Sequence, residues 1–406
     1  MPSALPEGEA VPDDGALPYE ALESVASSPL GMYVHVPFCL TRCGYCDFNT
    51  YTSAELGSEP GTSRQAYLDA VAAEVDLAAR VLGTDHPPVS TVFFGGGTPT
   101  LLDASELIGI LDLIRSRFGL TDDAEVTTEA NPESVSPESL RELREGGINR
   151  ISFGMQSSVT SVLSVLERGH RPGRIPQVVE WARTSGFESV SLDLIYGTPG
   201  ESQEQWRRSL TDALACDPDH VSAYALIVEE GTRLATRIRR GELTAPDDDD
   251  MADKYLLADA LLSEAGLSWY ELSNWSRPGH ECRHNLAYWQ GHNWWGIGPG
   301  AHSHIGGVRF WNRKHPRAYS TRLAAGLTPA QGREVLTPPL RKFERVLLEL
   351  RLARGLPRSV LSTSEQSRVA DLVRRGLVQD LPETAALTLT VRGRLLADAV
   401  TRDLLD

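Results

Sequence analysis

The chain has 406 residues, 41% hydrophobic and 23% charged, which is enough apolar content for a sizeable core and excludes global disorder. Lysine and arginine total 39 against 55 aspartates and glutamates, a net charge of −16. That balance excludes general nucleic-acid binding, which needs a positive surface, and no apolar run approaches the roughly 18 residues of a membrane-spanning helix.

Residues 1–30 are proline-rich and acidic, with neither a basic nor an apolar segment, and read as a flexible leader rather than a signal peptide. Strand and helix signals then alternate. A strand is expected over 32–36, followed by a cysteine loop and a helix over 63–82 with Tyr67, Val71, Val75 and Ala78 on one stripe. A short apolar strand over 89–94 ends at Gly95-Gly96-Gly97-Thr98-Pro99. A helix over 104–118 and strands over 124–129 and 149–153 follow, then a helical region running to about residue 185. A strand over 189–195, a helix over 202–215 and a strand over 220–227 complete a sixth unit. This α/β pattern predicts a partial (β/α)6 TIM-like barrel with its site at the C-terminal ends of the strands.

Residues 246–250 read as a solvated acidic turn before a helix over 251–265. Residues 269–311 hold six of the eight tryptophans, and five of the ten histidines fall between His280 and His304. From residue 340 an amphipathic helix (Phe343, Val346, Leu347, Leu350), a second helix near 368–374 and a β-prone run over 387–391 suggest a small winged-helix-like domain. The expected division is a leader (1–30), a core barrel (31–230), a barrel extension (231–335) and the C-terminal domain (336–406). The last carries 12 basic and 9 acidic residues, too small an excess to press a nucleic-acid role.

Three of the five cysteines, Cys39, Cys43 and Cys46, fall within eight residues in C-x3-C-x2-C spacing. An odd count clustered this way is a poor disulfide framework and reads as metal-binding or redox-active thiols in a reducing, cytoplasmic setting. Structural zinc would want a fourth ligand, and His35, the one candidate close in sequence, lies inside a predicted strand. A cubane [4Fe-4S] cluster normally takes four thiolates, so three would leave one iron open to an exogenous ligand.

Placed after a first strand, this loop resembles that of the radical S-adenosylmethionine superfamily, in which the methionine amino and carboxylate groups chelate the open iron. The extended motif Tyr33-Val-His-Val-Pro-Phe-Cys39 resembles more narrowly its coproporphyrinogen dehydrogenase branch. The resemblance implies that Tyr33 and Tyr45 lie beside the cluster and that Gly96, Gly97 and Thr98 face the amino group of S-adenosylmethionine. Read alone, the glycine triplet is as well explained by a tight turn.

Glu129, Gln156 and Asp193 each end or closely follow a predicted strand, where polar side chains face a barrel mouth. Any one of them could as well be a helix cap or a surface ion pair. The resemblance adds Arg168 and assigns all four to the S-adenosylmethionine pocket.

Two features bear on the subfamily. Coproporphyrinogen dehydrogenases carry a further cysteine two residues after the third, where this chain has Phe48. In addition, His284-Asn285-Leu286-Ala287-Tyr288-Trp289 matches the H-N-x-x-Y-W motif of the HemW family of heme chaperones. This similarity extends over roughly residues 32–406. It implies a carrier that binds heme through His284, Asn285, Tyr288 and Trp289 and passes it to respiratory hemoproteins, with a cluster supporting homodimer formation or transfer and at most peripheral membrane contact. From the residues alone, the tryptophan-rich segment could instead cover the open end of a barrel with His284 hydrogen-bonded inside. The competing activity is an oxygen-independent coproporphyrinogen III dehydrogenase. No catalytic residue is assigned.

Overall fold

The computed structural model describes residues 8–169, 171 and 173–405. Six parallel strands form its centre: β1 (Leu30–Val36), β2 (Val89–Gly96), β3 (Leu120–Ala130), β4 (Arg150–Gln156), β5 (Ser189–Tyr196) and β6 (His220–Ala225). Helices Arg64–Leu82, Ala104–Phe118, Pro137–Glu145, Arg174–Thr184 and Gln203–Leu214 cover one face, so the strands are buried on both sides and read as near-continuous apolar runs. The helix Pro137–Glu145 has no counterpart among the sequence expectations. Only Leu140 and Leu143 are buried in it, and its charged residues mask the stripe.

The sheet does not close. Beyond β6 lie the antiparallel β7 (Ser268–Glu271) and β8 (Asn274–Ser276), and beyond β1 lie β9 (Asn293–Ile297), β10 (His302–Ile305), β11 (Val308–Asn312) and β12 (Ala330–Val335). The order is β12-β11-β10-β9-β1-β2-β3-β4-β5-β6-β8-β7, a partial barrel widened at both edges. The tryptophan-rich segment supplies most of these added strands.

Two expectations are revised. Residues 246–250 are no free turn. Asp247 caps the helix Asp248–Glu264 by accepting from the Asp250 amide, and three aspartates occupy its first turn, where the helix dipole favours negative charge. Residues 8–30 do not behave as a flexible leader. Glu9 bridges to Arg333 on the outer edge of β12, the Thr328 amide donates to the Asp13 carbonyl, and the helix Tyr19–Val25 buries Ala21 and Val25 in the main core. The segment covers a strand edge that would otherwise be left open, and its few apolar anchors gave no periodic signal. Residues 1–7 of the expected leader lie outside the described residues.

The C-terminal residues have a core of their own, with Val346, Leu356, Val369, Leu387 and Val400 among its members. Helices Pro338–Glu349 and Thr363–Arg374 flank a three-stranded antiparallel sheet. Arg394 fastens this unit to the barrel. It donates two hydrogen bonds of 2.8 Å to Asp259 and lies 4.4 Å over the ring of Trp269. Both members of the ion pair are largely buried, so removing one strands the other. Arg394→Ala is expected to destabilise the fold by about 3 kcal/mol, read from chemical denaturation; a loss under about 1 kcal/mol would mean the docking rests on apolar contact.

Candidate functional site

The cysteine loop leaves the end of β1 and is tied down chiefly by backbone. The Gly97 and Thr98 amides donate to the carbonyls of Val36 and Phe38, Cys39 N–H donates to Tyr51, and Tyr51 N–H donates to Pro37. Farther along, Gly44 N–H donates to Leu166 and its carbonyl accepts from Leu234. Asn49 reaches across to the carbonyls of Pro299 and Lys314, at 2.9 and 2.7 Å. Glycine is required at 97, where a Cβ would lie 2.5 Å from the Phe38 carbonyl oxygen and 3.1 Å from the Cys39 sulfur. Gly96 has φ +111°, a conformation in which a side chain is strained.

Cys39, Cys43 and Cys46 are free and partly exposed, and all three line a cleft of about 600 Å³ at the C-terminal ends of the strands. Burial raises the Cys39 thiol pKa and pushes Cys46 up to about 11. Metal loading therefore has to displace protons from at least two of these thiols at neutral pH.

Opposite them, Gly96, Gly97, Thr98, Glu129, Gln156, Arg168 and Asp193 line the same cleft. Glu129 accepts the Gly96 amide at 3.1 Å, and both Asp193 oxygens lie 2.9 Å from the Ser152 hydroxyl. Burial, then repulsion from Asp193, raises Glu129 to about 8, and burial also raises Asp193. Arg168 donates to the Gly154 carbonyl at 3.2 Å and approaches the Cys43 sulfur at 3.5 Å. Gln156 follows a bulge in β4 and adopts φ +61°. Such strain in a non-glycine residue marks functional sites. The floor thus offers two buried carboxyls that a cation would bring to their charged form, with Arg168 placed to meet a carboxylate.

The two tyrosines separate. Tyr45 lines the cleft and packs with Leu166, Ile195 and Leu234. Tyr33 lies beneath the floor. Its hydroxyl bonds His35 Nδ1 at 3.0 Å, and its ring stacks on Phe93 and His284.

The H-N-x-x-Y-W segment forms the helix Arg283–Trp289 at the opposite, N-terminal end of the barrel. Glu125 accepts the Arg283 and His284 amides at 2.9 and 3.0 Å. His284 is 1% exposed, with Nδ1 bonded to the Thr91 hydroxyl and Nε2 to the Tyr288 hydroxyl, each at 2.8 Å. Burial lowers its pKa to about 3. Asn285 donates to Tyr270 and Glu271, and Trp289 is half-buried. None of these four residues lines the cysteine cleft. The arrangement is that of the barrel-end plug.

Sequence reasoning missed Ser152 and the apolar side chains Leu40, Tyr224 and Ile227 of the cleft. Ser152 carries a legible signal, since it lies two residues before Gly154, where β4 begins its bulge, and four before Gln156. The apolar group carries none, because exposure is invisible in composition.

Residues 33–213 match the family model described as Radical SAM superfamily. The chain is similar to the protein named heme chaperone HemW of Mycobacterium tuberculosis, 53% identical over 384 residues and covering 95% of this chain and 97% of that one. It is 33% identical over 377 residues to the Bacillus subtilis protein of the same name, covering 91% and 97%. Among solved structures it resembles coproporphyrinogen III oxidase HemN from Escherichia coli, described as a radical SAM enzyme, with TM-score 0.80 and 25% identity over 95% of this chain and 92% of that one.

The buried floor sets a pH dependence. Glu129 has a folded-state pKa raised from 4.5 to about 8, so its stabilising contribution is complete below the unfolded value and is lost as pH rises towards 8. Metal-free wild type is expected to lose a few degrees more in Tm between about pH 5.5 and 8.5 than Glu129→Gln does. Glu74 and Glu201, also raised to about 7, are common to both proteins and cancel. Parallel melting curves would contradict the assignment.

Proposed function

The chain belongs to the HemW family within the radical SAM superfamily, and on that footing we propose that it binds heme and hands it to respiratory hemoproteins. The observation that carries this reading is kinship with proteins of that name over 95% of the chain. The geometry supports a [4Fe-4S] cluster and S-adenosylmethionine in the cysteine cleft. Among the described residues, no three His, Cys, Asp or Glu side chains converge on one point as a single ion requires. A cubane asks for something else, since each thiolate binds a different iron, and Cys39, Cys43 and Cys46 ring one cleft in a way that suits it.

When bound, such a cluster supplies an electron to a sulfonium cofactor. The chain's own part is to hold that cofactor. Gly96, Gly97 and Thr98 would present backbone groups to its amino end, Arg168 would meet its carboxylate, and Glu129 and Asp193 would face its cationic centre and ribose hydroxyls, with Gln156 and Tyr45 completing the walls. Among the described residues no helix is long and apolar enough to cross a membrane, and free thiols suit a reducing cytoplasm.

The likeness to HemN favours a second reading, oxidative decarboxylation of coproporphyrinogen III. Phe48 argues against it, because it stands where that branch has a cysteine. Anaerobic incubation of cluster-loaded protein with coproporphyrinogen III, S-adenosylmethionine and a reductant, with a hemin titration in parallel, separates the two. The expected result is stoichiometric heme uptake without protoporphyrinogen; catalytic turnover would overturn the carrier reading. Cys39→Ala, Cys43→Ala and Cys46→Ala are each expected to abolish the brown cluster absorbance after anaerobic reconstitution. A triple variant that still held about four irons per chain would refute the ligand assignment.

A further inference from the structure

The cysteine cleft has two layers of opposite character. Beneath lie the carboxylates Glu129 and Asp193. Around the mouth three large apolar side chains stand in solvent: Leu40 is 76% exposed, Phe48 51% and Ile227 69%, and all three line this one cleft, whereas Tyr224 lines it from deeper down with its hydroxyl buried beside Asp193 and Ser222. Leu40 and Phe48 come from the cysteine loop, Tyr224 and Ile227 from the end of β6 and the residues after it. A folded chain leaves such a group of side chains in water only against the hydrophobic effect, and contiguous exposed apolar surface marks binding sites.

Resting on the carrier reading, we infer that heme seats on this rim, above the cysteines, and not on the helix Arg283–Trp289. The macrocycle is a flat apolar body with two propionates. Leu40, Phe48 and Ile227 match the body. Arg42, two residues after Leu40 on the loop, lines the cleft, and Arg233, at the start of the helix Arg233–Arg239, donates its guanidinium to the Arg42 carbonyl; both are at least partly exposed. Arg42 pairs with Glu55 at 3.5 Å and Arg233 with Glu167 at 2.9 Å. Pairs this exposed are weak and can exchange a carboxylate partner for a propionate. The floor carboxyls hold their protons against burial and offer no cation to a propionate, so the propionates have their charge partners at the rim. The alternative seat is closed, because His284 has both ring nitrogens engaged and is sealed under Tyr33 and Phe93.

The test uses cluster-loaded full chain titrated with hemin and followed by difference absorbance, with iron content and Tm measured on every variant. Leu40→Asp, Phe48→Asp and Ile227→Asp are expected to weaken hemin binding at least about tenfold with iron content unchanged. Phe48→Leu should retain most of the affinity, and His284→Gln should bind hemin like the wild type. Wild-type affinity in all three aspartate variants overturns the rim assignment, and so does loss of hemin binding in a His284→Gln protein whose iron content and Tm are intact. If the aspartate variants keep hemin but lose self-association or acceptor binding, the rim is a protein contact and the assignment falls. If the wild type takes up no hemin, the carrier reading itself has failed.

Discussion

Two carboxyl groups buried close together at the bottom of a cleft set the terms for the rest of the molecule. Glu129 and Asp193 sit on alternate strands of the parallel sheet; burial raises the proton affinity of both, and Asp193 raises that of Glu129 further. Burying such a pair is unfavourable, and the surrounding elements offset the cost locally. The Gly96 amide and the Ser152 hydroxyl donate to them, and Arg168, anchored on Gly154 and Cys43, attracts them from the side. Arg150, buried beside Asp193, acts in the same sense, and a positive ligand would favour the charged form of both carboxyls. The apolar cores on the helix-covered face supply the stability that makes this tolerable.

Much of that arrangement was legible because its signals are local. The barrel strands are short and well spaced, and Glu129, Gln156 and Asp193 fall in the last part of three successive ones, which carries them to the same end. The three cysteines announce themselves by spacing. What was hidden depends on partners distant in the chain. The helix Pro137–Glu145 needs only two buried leucines, and residues 8–30 are ordered by a strand edge more than 300 positions away. Strands β7 to β12 are short and rich in tryptophan and histidine, a composition that tells nothing of pairing. The apolar rim was equally hidden, since Leu40 and Ile227 look like core residues until their exposure is known.

His284 shows how residue type and environment part company. Histidine beside tyrosine and tryptophan invites an axial-ligand reading, and the motif is a sound marker of kinship. In the fold the same residues serve the barrel's lower end. Glu125 caps the start of the helix Arg283–Trp289, where its negative charge suits the dipole. Thr91 and Tyr288 saturate the imidazole, and Phe93 and Tyr33 cover it. Removing that helix would open the polar barrel interior to water from below, so its hydrogen bonds serve closure of the barrel.

A carrier built on this fold faces the problem of holding two very different molecules near one another. The sign of the charge sorts them. A sulfonium cofactor favours the ionised form of the floor carboxyls, and low local dielectric strengthens that attraction, whereas a macrocycle bearing propionates finds no cation there and meets Arg42 and Arg233 at the edge. Apolar contact then holds the flat body at the mouth, in Phe48's position rather than deeper. A cysteine in place of Phe48 would shrink that contact and make the mouth more polar, so the substitution that separates this chain from the dehydrogenases falls where the difference between holding a porphyrin and reacting with it would be felt.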